Sequence, residues 1–165
     1  MMMPAESSNL SAFLDMLAFS EGTANHPLTR NHGYDVIVTG IDGKAEIFTD
    51  YHDHPFASGR PGKVFNQQGQ RSTASGRYQQ LYRYWPTYKQ LLRLPDFSPA
   101  SQDLLAIQLI RERRALDDII QGRISDAIAR CNNIWASLPG AGYGQREHRS
   151  ERLLAVYQQA GGRLS

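Results

Sequence analysis

The hydrophobic positions near the start of the chain follow two different periods. The first recurs every three or four residues and predicts one apolar face of an α-helix, formed by Leu10, Phe13, Leu14 and Leu17. The second alternates within YDVIVTGIDGKAEIFTDY on either side of an Asp42-Gly43 pair, which predicts a β-hairpin. Residues 52–72 show no clear period and are rich in proline, glycine and amides, so we expect a long loop there.

The second half of the sequence is predicted to be helical. Ser75 is a suitable N-cap for a helix that Pro86 would end, and Ser98-Pro99 is a strong start signal for an apolar helix. Shorter helices are expected over Leu116–Ile120, from Ser125 up to Pro139, and over Glu147–Gln159. A mostly helical chain with one small hairpin is typical of the α+β class, with the sheet set to one side.

The length and the composition indicate a single globular domain over residues 1–165, with residues 1–9 as a frayed N-terminus. Hydrophobic residues make up 41% of the 165, which is ordinary for a globular protein. We expect no membrane insertion, because no apolar run approaches about 20 residues. A net charge of +2 is too small to indicate nucleic acid as a partner. The N-terminus does not resemble a secretory signal, so we expect synthesis in the cytoplasm.

One carboxylate continues the first apolar stripe. Glu21 lies four residues after Leu17, at the point where Gly22 and Thr23 can end the helix. Burial beside apolar groups, together with the negative end of the helix dipole, would raise its pKa. A carboxylic acid that keeps its proton near neutral pH can serve as a general acid. The pattern alone leaves open a Glu21 that simply turns to water.

Three kinds of chemistry compete for the remaining polar residues. His52 and His54, with Asp50 and Asp53 beside them, form a weak metal-site signal, because their spacing lacks the helical histidine pair typical of zinc enzymes. Nucleophilic catalysis is poorly supported, since Cys131 continues an apolar stripe with Ile128 and no serine has the context of a nucleophile elbow. Glycoside cleavage needs a protonated acid and a groove lined with rings and amides.

The residues suited to such a groove are aromatic, amide or basic. They are Tyr51, Tyr78, Gln79, Tyr143 and Gln145, with Arg77 as a candidate for steering an acidic glycan. Tyr143 is distinctive because it lies between glycines in GAGYGQ, a loop whose backbone could approach a ligand closely.

Six segments carry a resemblance to a known family. The chain is similar to lambda-type phage endolysins from about Leu10 to Gly162, with matching order and spacing in AFSEGT, GYDVIVTG, FTDYHDHP, STASGRYQ, FSPASQD and NIWASLPGAGYGQ. The resemblance implies a lysozyme-like α+β fold with a cleft between lobes, and lips around residues 50–65 and 137–145. It also implies Glu21 as the catalytic acid. Within the shared motifs, Ser75 and Ser137 join the expected substrate contacts.

The resemblance further implies lytic transglycosylation of peptidoglycan. Members cut the β-1,4 bond between N-acetylmuramic acid and N-acetylglucosamine and leave a 1,6-anhydro end, with no cofactor and no metal. We expect a monomer that depends on a holin to reach the cell wall in the periplasm.

Three other classes stay open from the residues. A hydrolytic muramidase would need a second carboxylate, for which Asp35, Asp50 and Asp53 are the candidates. A cell-wall-binding module would need no catalytic residue, and a zinc amidase would need a metal site.

Overall fold

In this computed structural model, residues 4–141 and 149–165 are described, with side chains from residue 8 onwards. The described chain contains six α-helices and two small antiparallel sheets. The helices are α1 (Pro4–Ser20), α2 (Trp85–Leu91), α3 (Pro99–Glu112), α4 (Leu116–Ile120), α5 (Ile124–Cys131) and α6 (Ser150–Gln159). The strands are β1 (Val36–Ile37), β2 (Glu46–Ile47), β3 (Lys63–Val64) and β4 (Arg71–Ser72). Two short 3-10 helices cover Pro55–Ser58 and Tyr82–Tyr84.

The chain divides into two compact units. The helical unit comprises Met1–Glu21 and Ala106–Ser165, and the sheet unit comprises Gly22–Leu105. The prediction of a single domain over residues 1–165 stays a prediction.

In the helical unit, α1 packs against α4 and α6, and α5 also contacts both of these helices. The predicted stripe of α1 is confirmed, because all four of its apolar side chains are buried. α1 begins at Pro4, so residues 4–9 are helical and the predicted frayed lead-in is wrong for them. Asn9 gives a physical reason: its amide nitrogen donates to the carbonyls of Ile119 and Ile120, and its oxygen accepts from the amide of Arg163. These bonds hold the first turns of α1 against the rest of the unit.

The sheet unit contains the predicted hairpin and a second one. β1 pairs with β2 in the register Val36 with Ile47, which confirms the first hairpin. β3 and β4 pair inside the segment expected to be a loop, and each contributes only two residues. The expectation of a long loop over residues 52–72 is therefore wrong for Lys63–Val64 and Arg71–Ser72. Such short strands carry too few side chains to show an alternating pattern.

The helix predicted after Ser75 is also wrong. Gly76 and Gln79 have φ values of +83° and +52°, which an α-helix does not contain, and Ser75 pairs with Gln80 across a tight turn. The helical segment begins later, as α2 at Trp85. Pro86 therefore lies in the first turn of a helix, where its missing N–H costs no hydrogen bond, instead of ending one.

The remaining helices agree with the sequence pattern, apart from their ends. α3 begins at Pro99 and α4 covers Leu116–Ile120, both as predicted. α5 buries Ile128 and Cys131 but ends there, so Trp135 lies in the following turn and not on a helix that Pro139 ends. Among the described residues, no helix combines the length and the apolar character needed to cross a membrane.

Candidate functional site

Glu21 is the first residue beyond α1 in the helical unit. Its amide still donates a 2.9 Å hydrogen bond to the carbonyl of Leu17, and the chain turns at Gly22, where φ is +74°. Glu21 is only partly exposed. Burial raises the pKa of its carboxyl group to about 7, against a smaller opposing effect from a hydrogen bond with Ser137. The raised pKa predicted from the sequence is thus confirmed.

A pair of buried serines lies beside this carboxyl group. The hydroxyl oxygens of Ser20 and Ser137 are 2.7 Å apart, and Ser137 also hydrogen-bonds with Glu21. Ser137 belongs to the turn that follows α5. The side chains of Trp135 and Leu138 anchor this turn in the core, and Asn132 donates to the carbonyl of Pro139. The structure therefore brings together Glu21 and Ser137, two of the predicted site residues.

In the sheet unit, Arg77 is held by a network of tyrosines. Its guanidinium carbon lies 5.2 Å from the ring centre of Tyr34 and 5.6 Å from that of Tyr78. The same guanidinium donates to the carbonyl of His32 and to the hydroxyl of Tyr78. Both tyrosine hydroxyls donate to one carboxylate oxygen of Asp103, at 2.9 Å from Tyr34 and 2.6 Å from Tyr78. The orientation of Arg77 is thereby fixed.

Three predicted substrate contacts in this unit take part in the packing or the hydrogen bonding of the fold. The side chains of Ser75 and Tyr78 are fully buried, and the Ser75 hydroxyl donates to the carbonyl of Thr73. The side-chain amide nitrogen of Gln79 donates to the backbone carbonyls of Val36 and Gly76. These bonds stabilise the turn at residues 75–80. In this structure Ser75 and Tyr78 present no side-chain surface to a ligand, so the two predictions find no support.

Of the remaining predicted substrate contacts, the structure describes Tyr51 but not Tyr143 or Gln145. Tyr51 is partly exposed, and its hydroxyl accepts a 3.1 Å hydrogen bond from the amide of Asn31. Tyr143 and Gln145 lie outside the described residues. Their contact with substrate stays a prediction.

The candidate second carboxylates are engaged in the fold to different degrees. Asp35 is buried, and its two oxygens accept from the hydroxyl of Thr29 and from the amide of Arg30. Partial burial would raise the pKa of Asp53, but hydrogen bonds from Trp85, from its neighbour His54 and from Lys89 outweigh it, and the pKa is lowered. Asp50 is exposed and accepts from the amide of His52 at 2.8 Å.

Among the described residues, no group of three or more histidine, cysteine or carboxylate side chains is arranged to hold a metal ion. His54 is buried, and its Nδ1 accepts a hydrogen bond from the amide of Phe56. Since one ring nitrogen is an acceptor, Nε2 must carry the proton that bonds with the carbonyl of Gln80 at 2.9 Å. Burial lowers the pKa of His54 to about 4, so the ring is neutral and part of the core.

Cys131 behaves as the sequence predicts. The thiol is buried on the apolar face of α5, and burial raises its pKa to about 12. A thiol that stays protonated is a poor nucleophile and a poor metal ligand.

Sequence analysis missed three polar residues that contact the candidate site residues. Ser20 bonds with Ser137, while Asp103 and Thr23 belong to the network around Arg77. Ser20 carries no motif of its own, although its position next to Glu21 and its alignment with Leu17 favour burial. No sequence pattern indicates the contacts of Asp103 and Thr23, because their partners are distant in sequence. Thr23 is buried, and its hydroxyl donates to the carbonyl of Arg77.

Comparison with known proteins decides the family. The family model described as Endolysin matches residues 11–164. The chain is 75% identical over 154 residues to the endolysin of Escherichia phage P2, covering 93% of each protein. It is 57% identical over 152 residues to the endolysin of Escherichia phage lambda, covering 92% of this chain and 90% of that one. The chain belongs to the endolysin family.

Solved structures confirm the fold of this endolysin. It matches bacteriophage lambda lysozyme complexed with a chitohexasaccharide at a TM-score of 0.85 and 52% identity, over 96% of this chain and 97% of that one. A second structure of the lysozyme from bacteriophage lambda matches at a TM-score of 0.81. The predicted α+β, lysozyme-like fold class is therefore confirmed, and endolysins of this fold are enzymes that degrade the bacterial cell wall.

Proposed function

We propose that this endolysin cleaves peptidoglycan by lytic transglycosylation. The bond cut is the β-1,4 linkage between N-acetylmuramic acid and N-acetylglucosamine, and the product carries a 1,6-anhydromuramic acid end. The observation that carries the proposal is Glu21, a carboxyl group with a pKa of about 7 and a hydrogen bond from Ser137. The structure of lambda lysozyme complexed with a chitohexasaccharide supports an oligosaccharide as the ligand.

In the first half of the proposed reaction, Glu21 acts as a general acid. Its proton passes to the glycosidic oxygen while the bond from that oxygen to C1 of muramic acid breaks. A carboxyl group with a pKa near 7 is suited to this step, because a large fraction is protonated at neutral pH and the proton is still readily given up. The transition state resembles an oxocarbenium ion.

In the second half, Glu21 acts as a general base. Its carboxylate takes the proton of the C6 hydroxyl of the same sugar, whose oxygen forms a bond with C1. This returns Glu21 to its acid form and consumes no water. Because the nucleophile is already tethered to the reacting sugar, its effective concentration is high, and a second carboxylate is unnecessary. The engagement of Asp35 and Asp53 in hydrogen bonds within the sheet unit is consistent with this scheme.

Substrate contacts are proposed for residues that keep an accessible polar or aromatic group. Tyr51 offers a partly exposed ring and Arg77 a fixed guanidinium that could pair with the acidic groups of the glycan. Tyr143 and Gln145 are proposed from the sequence motif alone. We further propose a monomer that is made in the cytoplasm and reaches the periplasm after a holin opens the inner membrane.

Mass spectrometry of digested peptidoglycan tests the reaction type. We expect muropeptides with anhydromuramic acid ends, which are lighter by one water than reducing ends. Reducing muramic acid ends as the primary product would show a hydrolase and overturn the transglycosylase proposal.

Two controls separate the remaining classes. Glu21→Gln should keep the fold and lose lytic activity, whereas a cell-wall-binding module would keep its function after this change. A chelator should leave lysis unchanged, while loss of lysis would indicate a metal-dependent amidase.

A further inference from the structure

We propose that Ser20 is a positioning residue for the reaction of Glu21: its hydroxyl orients Ser137 so that Ser137 donates its hydrogen to the Glu21 carboxyl group. The inference rests on the proposed role of Glu21 as acid and base. Ser20 contacts Ser137 directly, and the inference concerns its effect on Glu21 through that contact.

A count of hydrogens gives the direction of the bonds. A serine hydroxyl has one hydrogen to donate and two lone pairs that accept. Ser137 bonds with both Ser20, at 2.7 Å between the oxygens, and Glu21. When Glu21 is a carboxylate it can only accept, so the single hydrogen of Ser137 goes to Glu21. Ser20 must then be the donor in the pair of serines.

The surroundings keep both hydroxyls in place. Ser20 and Ser137 are 4% and 7% exposed, so water has little access to compete for these bonds. Ser20 is the last residue of α1, and Ser137 is held by a turn whose neighbours Trp135 and Leu138 are buried. The two oxygens therefore approach each other from two anchored backbones.

The arrangement suits both halves of the proposed cycle. One oxygen of Glu21 accepts from Ser137 throughout, and the other is available to give or take a proton. Donation from Ser20 polarises the hydroxyl of Ser137 and strengthens its bond to the carboxylate. Without Ser20, Ser137 would lose one fixed partner and its hydrogen could turn away from Glu21. The carboxylate would then be less stable, and the proton would be held more tightly.

The test is the titration of the Glu21 carboxyl carbon by NMR in the full-length protein. In Ser20→Ala we expect its midpoint to move upward by roughly half a pH unit. The alkaline limb of kcat/KM should move upward by the same amount. Ser101→Ala is the matched control, because Ser101 is also buried and bonds with a carboxylate, that of Asp96, in the sheet unit. It should leave the midpoint at the value of the unmodified protein.

A structural role for Ser20 predicts a different result. Loss of packing alone would lower the melting temperature and kcat while leaving the midpoint of Glu21 unchanged, and that result would overturn the proposal. Ser20→Thr keeps the hydroxyl and should restore the midpoint, whereas an equal shift in Ser20→Thr and Ser20→Ala would also overturn it. α6 brings a charged group, Arg152, to within 5.2 Å of the Phe19 ring, so all variants are compared at one ionic strength.

The unmodified protein provides a measurement that does not depend on the folding of a variant. The Cβ resonances of Ser20 and Ser137 should both titrate with the midpoint of Glu21. A response of Ser137 without one of Ser20 would contradict the proposal. These titrations are independent of the reaction products, so reducing ends in the digest would overturn the proposed function while leaving this inference standing.

Discussion

The indole nitrogen of Trp85 donates a 2.7 Å hydrogen bond to Oδ1 of Asp53. The amide of His54 donates to the same oxygen, and the ammonium group of Lys89 lies 3.3 Å from Oδ2. The Trp85 side chain is buried, so Asp53 satisfies a donor that would otherwise lack a partner. Asp53 is thus part of the structure of the sheet unit.

This relationship predicts that Asp53→Asn keeps lytic activity. An asparagine can still accept from Trp85 through its amide oxygen, so we expect a rate within about threefold of the unmodified protein and a modest loss of stability, on the order of 1 kcal/mol. Turbidity loss of peptidoglycan suspensions measures the rate. Asp50→Asn should behave similarly. A drop in rate of several orders of magnitude in either variant would identify the second carboxylate of a hydrolase.

Glu21→Gln is expected to be more stable than the unmodified protein at alkaline pH. The pKa of Glu21 is about 7 in the folded protein and 4.5 in an unfolded chain, so folding favours the protonated form. The native state therefore loses stability as pH rises from 4.5 to 7, and a neutral glutamine removes that loss. Urea unfolding at pH 8 should show a gain of roughly 1 to 3 kcal/mol for the variant. The gain should disappear at pH 4. An equal difference at both pH values would contradict a raised pKa.

His54 makes the protein sensitive to mild acid. Its pKa is lowered from 6.5 to about 4 in the fold, so the unfolded chain binds a proton at a higher pH than the native state does. The free energy of unfolding contributed by this group is complete above pH 6.5 and falls as pH drops towards 4.

His54→Asn should remove this sensitivity, because an asparagine can still accept from the amide of Phe56 and does not titrate. The loss of unfolding free energy between pH 7 and pH 4.5 should shrink by about 2 kcal/mol in the variant. Chemical denaturation at the two pH values measures it. His52→Asn is the control, because His52 is an exposed neighbour. This variant should lose as much unfolding free energy between pH 7 and pH 4.5 as the unmodified protein does.

Gly33 is required where the chain passes close to Thr23. Its φ is +89°, and an added Cβ would lie 2.7 Å from the carbonyl carbon of Thr23. Gly43 has a similar φ of +72° but open space where its Cβ would be. Gly43→Ala should therefore cost about 1 kcal/mol from backbone strain alone. Gly33→Ala should cost about 1 to 3 kcal/mol more, from the steric clash. Thermal or urea unfolding compares them, and equal costs would show that the backbone moves aside without penalty.

The parts of the fold that the sequence predicted are those encoded by nearby residues. The spacing of Leu10, Phe13, Leu14 and Leu17 reports a helix face directly, and Ser98-Pro99 marks a helix start through its own backbone preferences. The family resemblance likewise rests on contiguous motifs. The same local character explains why the pKa of Glu21 could be anticipated from its place at the end of an apolar stripe.

The parts that escaped prediction depend on contacts between distant residues. The turn at 75–80 forms because Ser75 pairs with Gln80 and Tyr78 reaches Asp103, and a local helical preference does not compete with these bonds. Residues 4–9 are helical because Asn9 bonds with the backbone of Ile119 and Arg163, more than 100 positions away. Ser20 and Ser137 are separated by a similar number of residues, so no sequence pattern indicates that they pair.

Cys131 has a practical consequence for handling the protein. A solitary thiol at the surface can link two copies of a chain covalently when oxygen is present. Here it is enclosed on α5 and keeps its hydrogen throughout the usual range of buffers. Storage in air without dithiothreitol should therefore leave the protein free of intermolecular crosslinks, and alkylating reagents should label it only after denaturation.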